Sequence, residues 1–178
     1  MLIFVNGYGA TDNVDDGNYC RYLGEVSTFI DSHQTEKCVV HLCGGYTNRL
    51  DLTEARAMLN WFVRRRDFSD VEYVLIEDTF TARDNMERMG SLVSEELLVI
   101  FCEYSRRFTM AFYASRLFKH YEIHGVKFDA KSLTFVHQIK QVTLKLPVEV
   151  LAWYFQSFDH LRLWLRNRHV MRVRARKE

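Results

Sequence analysis

Two glycine-containing segments of the chain carry residue types that bind small anions. Residues 6–9 read Asn-Gly-Tyr-Gly, and residues 44–49 read Gly-Gly-Tyr-Thr-Asn-Arg. Glycine allows a tight turn and lets a ligand approach main-chain amides. The hydroxyl, amide and guanidinium groups of the second segment are donors for a phosphate, a carboxylate or a ribose. The first segment lacks the third glycine of a dinucleotide-binding fingerprint and is a weak signal alone; for the second, a glycine turn with a solvated Arg49 is the alternative.

A third segment combines acids with hydroxyl groups. Glu77 and Asp78 are followed by Thr79 and Thr81, and Asn85 comes one helical turn later. Two adjacent acids at a strand end are costly to bury without partners. They can hydrogen-bond ribose hydroxyls, anchor a cation, or cap the next helix through Asp78. Taken by itself, the segment favours capping.

A fourth segment, residues 102–107, brings Tyr104, Arg106 and Arg107 to the start of a helix. Both arginines can reach the same crevice, and a solvated pair at a helix start is the alternative. The candidate catalytic residues are therefore Glu77, Asp78 and Arg107, and no nucleophile can be named. The seven histidines and four cysteines show no spacing typical of a metal site or of a catalytic Cys/His pair.

Short apolar runs alternate along the chain with segments of helical periodicity. The strands and helices that they predict must position these residues. The runs are residues 2–5, 38–42, 73–76 and 97–101, with a weaker fifth at 121–126. Apolar and polar residues do not alternate within these runs, which is typical of strands covered on both faces. The pattern predicts an α/β fold, a Rossmann-like three-layer sandwich with a mostly parallel sheet of about five strands. The loops behind such strands converge at one edge of the sheet.

The helices between these runs have recognisable starts. Thr53 and Thr81 are predicted N-caps, and a further helix spans about residues 106–118. After Gly125 we expect an extra strand near residues 133–136 and a final helix beginning at or after Pro147. One side of that helix is apolar, and we expect it to close over the sheet. Its members are Val148, Leu151, Ala152, Phe155, Phe158, Leu161 and Leu165.

The composition indicates one compact domain over residues 1–178, with a core at 1–126 and a closing helix and basic tail at 147–178. Of the 178 residues, 48% are apolar and 26% charged. From Arg162 onward there are seven Lys or Arg and one acid, which leaves 17 basic and 22 acidic residues, a charge of −5, in the remainder. That charge argues against a nucleic-acid partner. We expect reduced cysteines, no membrane span and a cytoplasmic location.

The order of these motifs resembles that of the SanA/YdcF-like family, a Rossmann-like group. The resemblance covers about residues 2–118 and is carried by Gly44-Gly45, then Thr53-Glu54-Ala55, then the stretch from Glu77 to Asn85. It implies a small-molecule site lined by Gly44, Gly45, Glu54, Glu77, Thr81 and Asn85, with S-adenosylmethionine as a cofactor or ligand. Many members carry a His and then an Arg after strand four. Here Tyr104 or Ser105 stands in the region of that His, and Arg107 matches the Arg.

The sequence predicts a protein that binds a nucleotide-like small molecule, and leaves open whether it is an enzyme. A hydrolase or transferase acting on a phosphorylated or adenosyl substrate is one alternative. A non-catalytic interaction protein is another, with its aromatic C-terminal helix docking a partner or forming a homo-oligomer. The predicted ligand-binding residues are Asn6, Gly7, Gly9, Gly44, Gly45, Thr47, Asn48, Arg49, Glu54, Glu77, Thr79, Thr81, Asn85, Tyr104 and Arg107.

Overall fold

The computed structural model describes residues 1–7, 14–15, 17–33, 37–46, 52–65, 71–93, 96–128 and 135–175. Five parallel strands form a single sheet in the order β3-β2-β1-β4-β5, which confirms the predicted α/β class. The strands lie within two residues of the predicted apolar runs. They are β1 Leu2–Asn6, β2 Cys38–Cys43, β3 Val71–Ile76, β4 Leu98–Glu103 and β5 Tyr121–Val126.

Helices cover both faces of the sheet. Helices α1 (Gly17–Ser32) and α2 (Glu54–Arg65) bury their apolar sides on one face, around Tyr22, Met58 and Phe62. Helices α3 (Ala82–Gly90) and α4 (Arg107–Leu117) cover the other face. The chain changes face after β3, so the loops that follow the neighbouring strands β1 and β4 lead to opposite sides. A crevice forms between such loops in sheets of this type.

Both predicted N-caps are present. The Thr53 hydroxyl accepts a hydrogen bond from the Arg56 amide at 3.2 Å in front of α2. The Thr81 hydroxyl accepts from the Asp84 amide at 3.1 Å, and the Asp84 carboxylate accepts from the Thr81 amide at 3.0 Å. This reciprocal pair is a capping box that fixes the start of α3. The alternative cap, Asp78, is not used.

The C-terminal region differs from the prediction. A helical segment runs through α5 (Phe135–Lys140), a π-helical turn at Gln141–Lys145 and α6 (Leu146–Tyr154), and α7 (Gln156–Ala175) follows. The expected extra strand is therefore wrong at Phe135 and Val136, while residues 133 and 134 lie outside the described part. Helical structure also begins before Pro147, because the π-helical turn leads directly into α6.

The predicted closure of the apolar side of this helix over the sheet is also wrong. Ala152 is buried, and Trp153 packs its ring 5.7 Å from that of Tyr113 on α4. The other described members of that side, from Val148 to Leu161, are exposed. Helix α6 thus packs on α4 with a different side from the one that the periodicity suggests. In the described part of the chain, no helix is both long and apolar enough to cross a bilayer.

Candidate functional site

A cavity of about 390 Å³ lies at the carboxyl edge of the sheet, where the loops after β1 and β4 separate. This size falls within the roughly 300–1,000 Å³ that is typical of small-molecule pockets. Six predicted residues line it: Gly7, Gly44, Glu54, Thr79, Thr81 and Asn85. The C-terminal helical region supplies the opposite wall, with Gln141, Leu144, Lys145, Val148, Glu149 and Arg162.

Glu54 is a carboxylate enclosed in this site, with 2% of its surface exposed. It is the first residue of α2, where the positive end of the helix dipole stabilises a negative charge. The Tyr19 hydroxyl donates a hydrogen bond to its Oε1 at 2.9 Å. Its Oε2 would lie 2.7 Å from a Cβ placed on Gly7, so the side chain lies directly on the main chain there. Glu54 is thus fixed in orientation before any ligand arrives.

The glycines of the site allow close packing. A Cβ on Gly44 would lie 2.8 Å from that of Glu54, and the Gly44 φ of +155° disfavours other residues. The amides of Gly7, Gly44 and Gly45 donate to the carbonyls of Cys43, Ile76 and Thr79 at 2.7, 3.0 and 2.9 Å. The expectation that these amides face an anion is therefore wrong, since their hydrogen atoms are already used within the protein.

Asn85 and Thr79 both line the cavity, and each has a buried polar atom without a hydrogen-bond partner. The Asn85 amide nitrogen donates to the Asn6 Oδ1 at 2.7 Å, and the Asn6 amide nitrogen donates to the Gly7 carbonyl at 3.0 Å. This chain of bonds leaves the Asn85 Oδ1 unpaired, and the Thr79 Oγ1 is unpaired as well. Buried groups of this kind usually have partners, because leaving one unsatisfied costs about 1–3 kcal/mol.

Arg162 ties the C-terminal helices to the body of the domain. Its side chain is 8% exposed, and its Nε and Nη2 donate to the Asp159 Oδ1 at 3.0 and 2.8 Å. Its Nη1 lies 3.3 Å from both the Glu149 Oε2 and the Thr81 Oγ1. The Tyr113 hydroxyl also donates to Glu149, and burial together with this carboxylate raises the pKa of Tyr113 well above its usual range. The capped start of α3 is thereby joined to α6 and α7.

The candidate catalytic residues lie elsewhere. Glu77 accepts hydrogen bonds from the Thr53 hydroxyl and from the Arg56 Nη2, the latter at 2.9 Å. The Arg107 guanidinium stacks 3.9 Å above the centre of the Tyr104 ring. The described cavity wall includes none of Glu77, Asp78, Arg107 and Tyr104.

The remaining predicted residues fall into two groups. Asn6 is fully buried below the cavity and orients Asn85, while Gly45 packs against the loop between β3 and α3. Gly9, Thr47, Asn48 and Arg49 lie outside the described residues, so no position is assigned to them.

Sequence reasoning missed part of the cavity wall. Thr109 and Met110 line it from α4, beside Arg106 in the short 3₁₀ turn Tyr104–Arg106, and Arg106 is one of the two arginines expected to reach this crevice. The six residues from the C-terminal helices were not predicted either. The only sequence feature that singles out Arg162 is that this charged residue stands between two apolar residues, Leu161 and Leu163. Such a residue is rarely buried unless it is paired.

Comparisons with protein-family models, with curated proteins and with solved structures find no match to this chain. Within the described ranges, no three His, Cys, Asp or Glu side chains come together as a metal site. The chemical character of the cavity is therefore the main source of functional information.

The ion pair of Glu77 gives a prediction about acid stability. The Thr53 hydroxyl and then the Arg56 guanidinium lower the pKa of Glu77 below its ordinary 4.5. A carboxyl group whose pKa is lowered in the folded state stabilises the protein at a pH above its ordinary pKa. This stabilisation is lost as the pH falls through the lowered pKa. We expect Glu77→Gln to cost less than about 1 kcal/mol at neutral pH, since the pair is partly exposed.

The measurement is urea unfolding of wild type and variant from neutral to acidic pH. The difference in unfolding free energy should shrink below pH 4.5. Arg56→Gln should show the same trend, because it removes the other partner of the pair. A difference that does not change with pH would contradict this role of Glu77.

Proposed function

We propose that the cavity binds a nucleotide-like small molecule that carries hydroxyl or amino groups at one end and an anionic group at the other. The observation that carries this proposal is the unpaired, buried Oδ1 of Asn85, a residue that lines the cavity. A carbonyl oxygen can only accept a hydrogen bond. A ligand that satisfies it must therefore bring a donor.

The acceptors of the site cluster on the sheet side. Asn85, Glu54 and Thr79 all line the cavity, and the Asn85 Oδ1 and the Thr79 hydroxyl are unpaired. A carboxylate accepts hydrogen bonds on both oxygens, and Tyr19 is one donor to Oε1. Ribose hydroxyls or an ammonium group match such a set, because they supply several donors within a short distance.

The cationic side chains are Arg106 on the start of α4 and Lys145 in the π-helical turn, with Arg162 beside them. The Arg162 charge is compensated by Asp159 and Glu149. Arg106 and Lys145 are assigned to the anionic group, a phosphate or a carboxylate, because each is a cationic residue that lines the cavity. Arginine suits both groups because its planar fork can donate two parallel hydrogen bonds.

S-adenosylmethionine is the most specific candidate. It carries ribose hydroxyls as donors in its nucleoside part and a carboxylate as the anionic group at its methionine end. The resemblance of residues 2–118 to the SanA/YdcF-like family points to the same ligand, and we include membership of that family in the proposal. Free nucleotides and sugar phosphates also carry hydroxyl groups at one end and an anionic group at the other. They are the compounds against which S-adenosylmethionine is compared.

A transferase or hydrolase reaction in the same cavity is the second candidate, and the enclosed position of Glu54 favours it. A carboxylate held by Tyr19 and shielded from water can act as a general base on a bound hydroxyl. This role would fall to Glu54 and not to Glu77, which is bonded to Thr53 and Arg56.

Thr79→Val is the sharpest test of binding. Valine has nearly the shape of threonine, and the Thr79 hydroxyl has no partner in the free protein. The variant should be as stable as wild type or slightly more stable, because a buried unsatisfied group is removed. It should bind its ligand about tenfold more weakly, since one hydrogen bond of roughly 1–1.5 kcal/mol is lost.

The measurement is a thermal-shift panel with S-adenosylmethionine, adenosine monophosphate and ribose 5-phosphate, followed by calorimetric titration of the best probe. Thr28→Val is the matched control, because Thr28 is exposed on α1, away from the cavity. No shift with any probe, or equal affinity in Thr79→Val and wild type, would contradict the proposed mode of binding.

A further inference from the structure

An apolar surface runs along the outside of the C-terminal helices. Its members lie at the end of the π-helical turn, on α6, at the extended residue between α6 and α7, and on the first half of α7. Their exposed fractions range from 37% to 62%. We call this surface the C-terminal apolar strip. It consists of Leu144, Val148, Leu151, Phe155, Phe158 and Leu161.

The described part of the chain does not cover the strip. Helix α6 contacts the body through another side, on which Ala152 is buried and Trp153 packs against Tyr113. On the same side, the Arg83 guanidinium donates to the Ala152 carbonyl at 3.0 Å. The helices are thus anchored with Leu151, Phe158 and Leu161 exposed, while Leu144 and Val148 lie at the edge of the cavity. Contiguous apolar surfaces beyond a few hundred Å² are rare on monomers and mark interaction sites.

We propose that a second copy of this chain covers the strip, in a two-fold symmetric dimer whose α6 and α7 pack antiparallel to the same helices of the partner. Together with Trp164, which is also exposed on α7, the six side chains expose on the order of 600 Å² of apolar surface. A stable interface buries about 800 Å² on each partner. The strip is large enough for the apolar centre of such an interface, and the polar side chains around it complete the rim.

The charge distribution favours a second copy over other occupants. The chain carries seven Lys or Arg and one acid from Arg162 onward, against a charge of −5 in the remainder. The positive charge of this segment in one copy and the negative charge of the remainder in the other are complementary. An anionic lipid surface or a nucleic acid would instead be repelled by that negative charge. The basic C-terminal segment of one copy therefore complements the acidic remainder of the other copy in a two-fold symmetric dimer.

The strip also borders the cavity, since Leu144 and Val148 belong to both. In the dimer, the partner's helices lie beside the cavity entrance and narrow it. This consequence rests on the proposed function, whereas the dimer itself does not.

The test is sedimentation velocity of the full chain across micromolar concentrations. We expect a species of twice the 21.2 kDa chain mass. Leu151→Glu and Phe158→Glu should each weaken the dimer about 30-fold or more, because each places a charge in the apolar centre of the interface. Both residues are exposed in the single chain, so circular dichroism should show unchanged folding. Val63→Glu is the control, since Val63 is equally apolar and 66% exposed, but lies on α2.

Several results would overturn the dimer. A monomer at every concentration, or open-ended aggregates, would do so. If wild type and the two strip variants dimerise equally, the interface lies on another face of the protein. Binding of the monomer to phosphatidylglycerol vesicles, lost in the strip variants, would assign the strip to a lipid surface.

Discussion

Arg162→Ala is expected to lower the free energy of unfolding by about 2–3 kcal/mol, because it removes a buried cation from Glu149 and from Asp159, which keeps its ion pair with Arg83. A fully buried pair costs about 3–5 kcal/mol to break. The value expected here is smaller, since both carboxylates keep about a quarter of their side-chain surface exposed. The loss should also weaken ligand binding, because Arg162 forms part of the cavity wall.

Urea unfolding of wild type and variant measures this effect. Arg168→Ala is the matched control, because Arg168 lies on the same helix, is exposed and stacks on the Trp164 ring at 5.3 Å. It should change the unfolding free energy by no more than about 0.5 kcal/mol. Equal, small effects of the two substitutions would show that Arg162 does not hold the C-terminal helices in place.

Gly45→Ala should also destabilise the protein, by about 1–3 kcal/mol, through overpacking. A Cβ at this position would lie 2.6 Å from the Thr79 carbonyl oxygen and 2.9 Å from that of Glu77. Both are main-chain atoms that cannot rotate away, so the loop between β3 and α3 must shift. That loop carries Thr79 into the cavity, and we therefore expect weaker ligand binding as well.

Gly24→Ala provides a control of opposite sign. Gly24 lies inside α1, and a Cβ there would meet no atom within 4 Å. Alanine in a helix interior is favoured over glycine by about 0.5–1 kcal/mol, so this variant should be more stable than wild type. Thermal and urea unfolding of both variants give the comparison. A Gly45→Ala protein as stable as wild type would mean that the close approach to the β3–α3 loop is not required.

The sheet and its helices were largely predictable from the sequence. Runs such as residues 38–42 are apolar on both sides, which requires cover on both faces, and α1 to α4 provide it. The caps Thr53 and Thr81 were predictable as well, because a side-chain oxygen at the start of a helix satisfies a free amide.

The details of the site were less predictable, because they depend on how distant segments pack. Glu54 and Glu77 both follow strands in the sequence, yet one lies in the cavity and the other pairs with Arg56 outside it. The position of α2 decides between them, and the sequence does not specify that position. Glycine in a loop likewise does not reveal whether its amide is free, and here the three described amides are bonded within the protein.

The C-terminal helices show a different limit. Periodicity predicted one apolar side on a single helix, whereas the chain has two helices that meet at the extended residue Phe155, and it buries Ala152 while Leu151 is exposed. Periodicity also carries no information on what covers an apolar side. The structure turns Leu151 and Phe158 outward and buries the charged Arg162. The local pattern predicts an apolar side that must be shielded from water. The packing of the whole chain decides whether the same chain or another molecule shields it.

A crystal structure of the protein with its tightest-binding probe from the panel tests the central claim most directly. We predict a hydroxyl or ammonium group of the ligand within about 3 Å of the Asn85 Oδ1, beside Thr79 and Glu54. The anionic group should lie toward Arg106 and Lys145. A ligand bound outside this cavity, or reversed so that its anionic group faces Glu54, would contradict the assignment of the site.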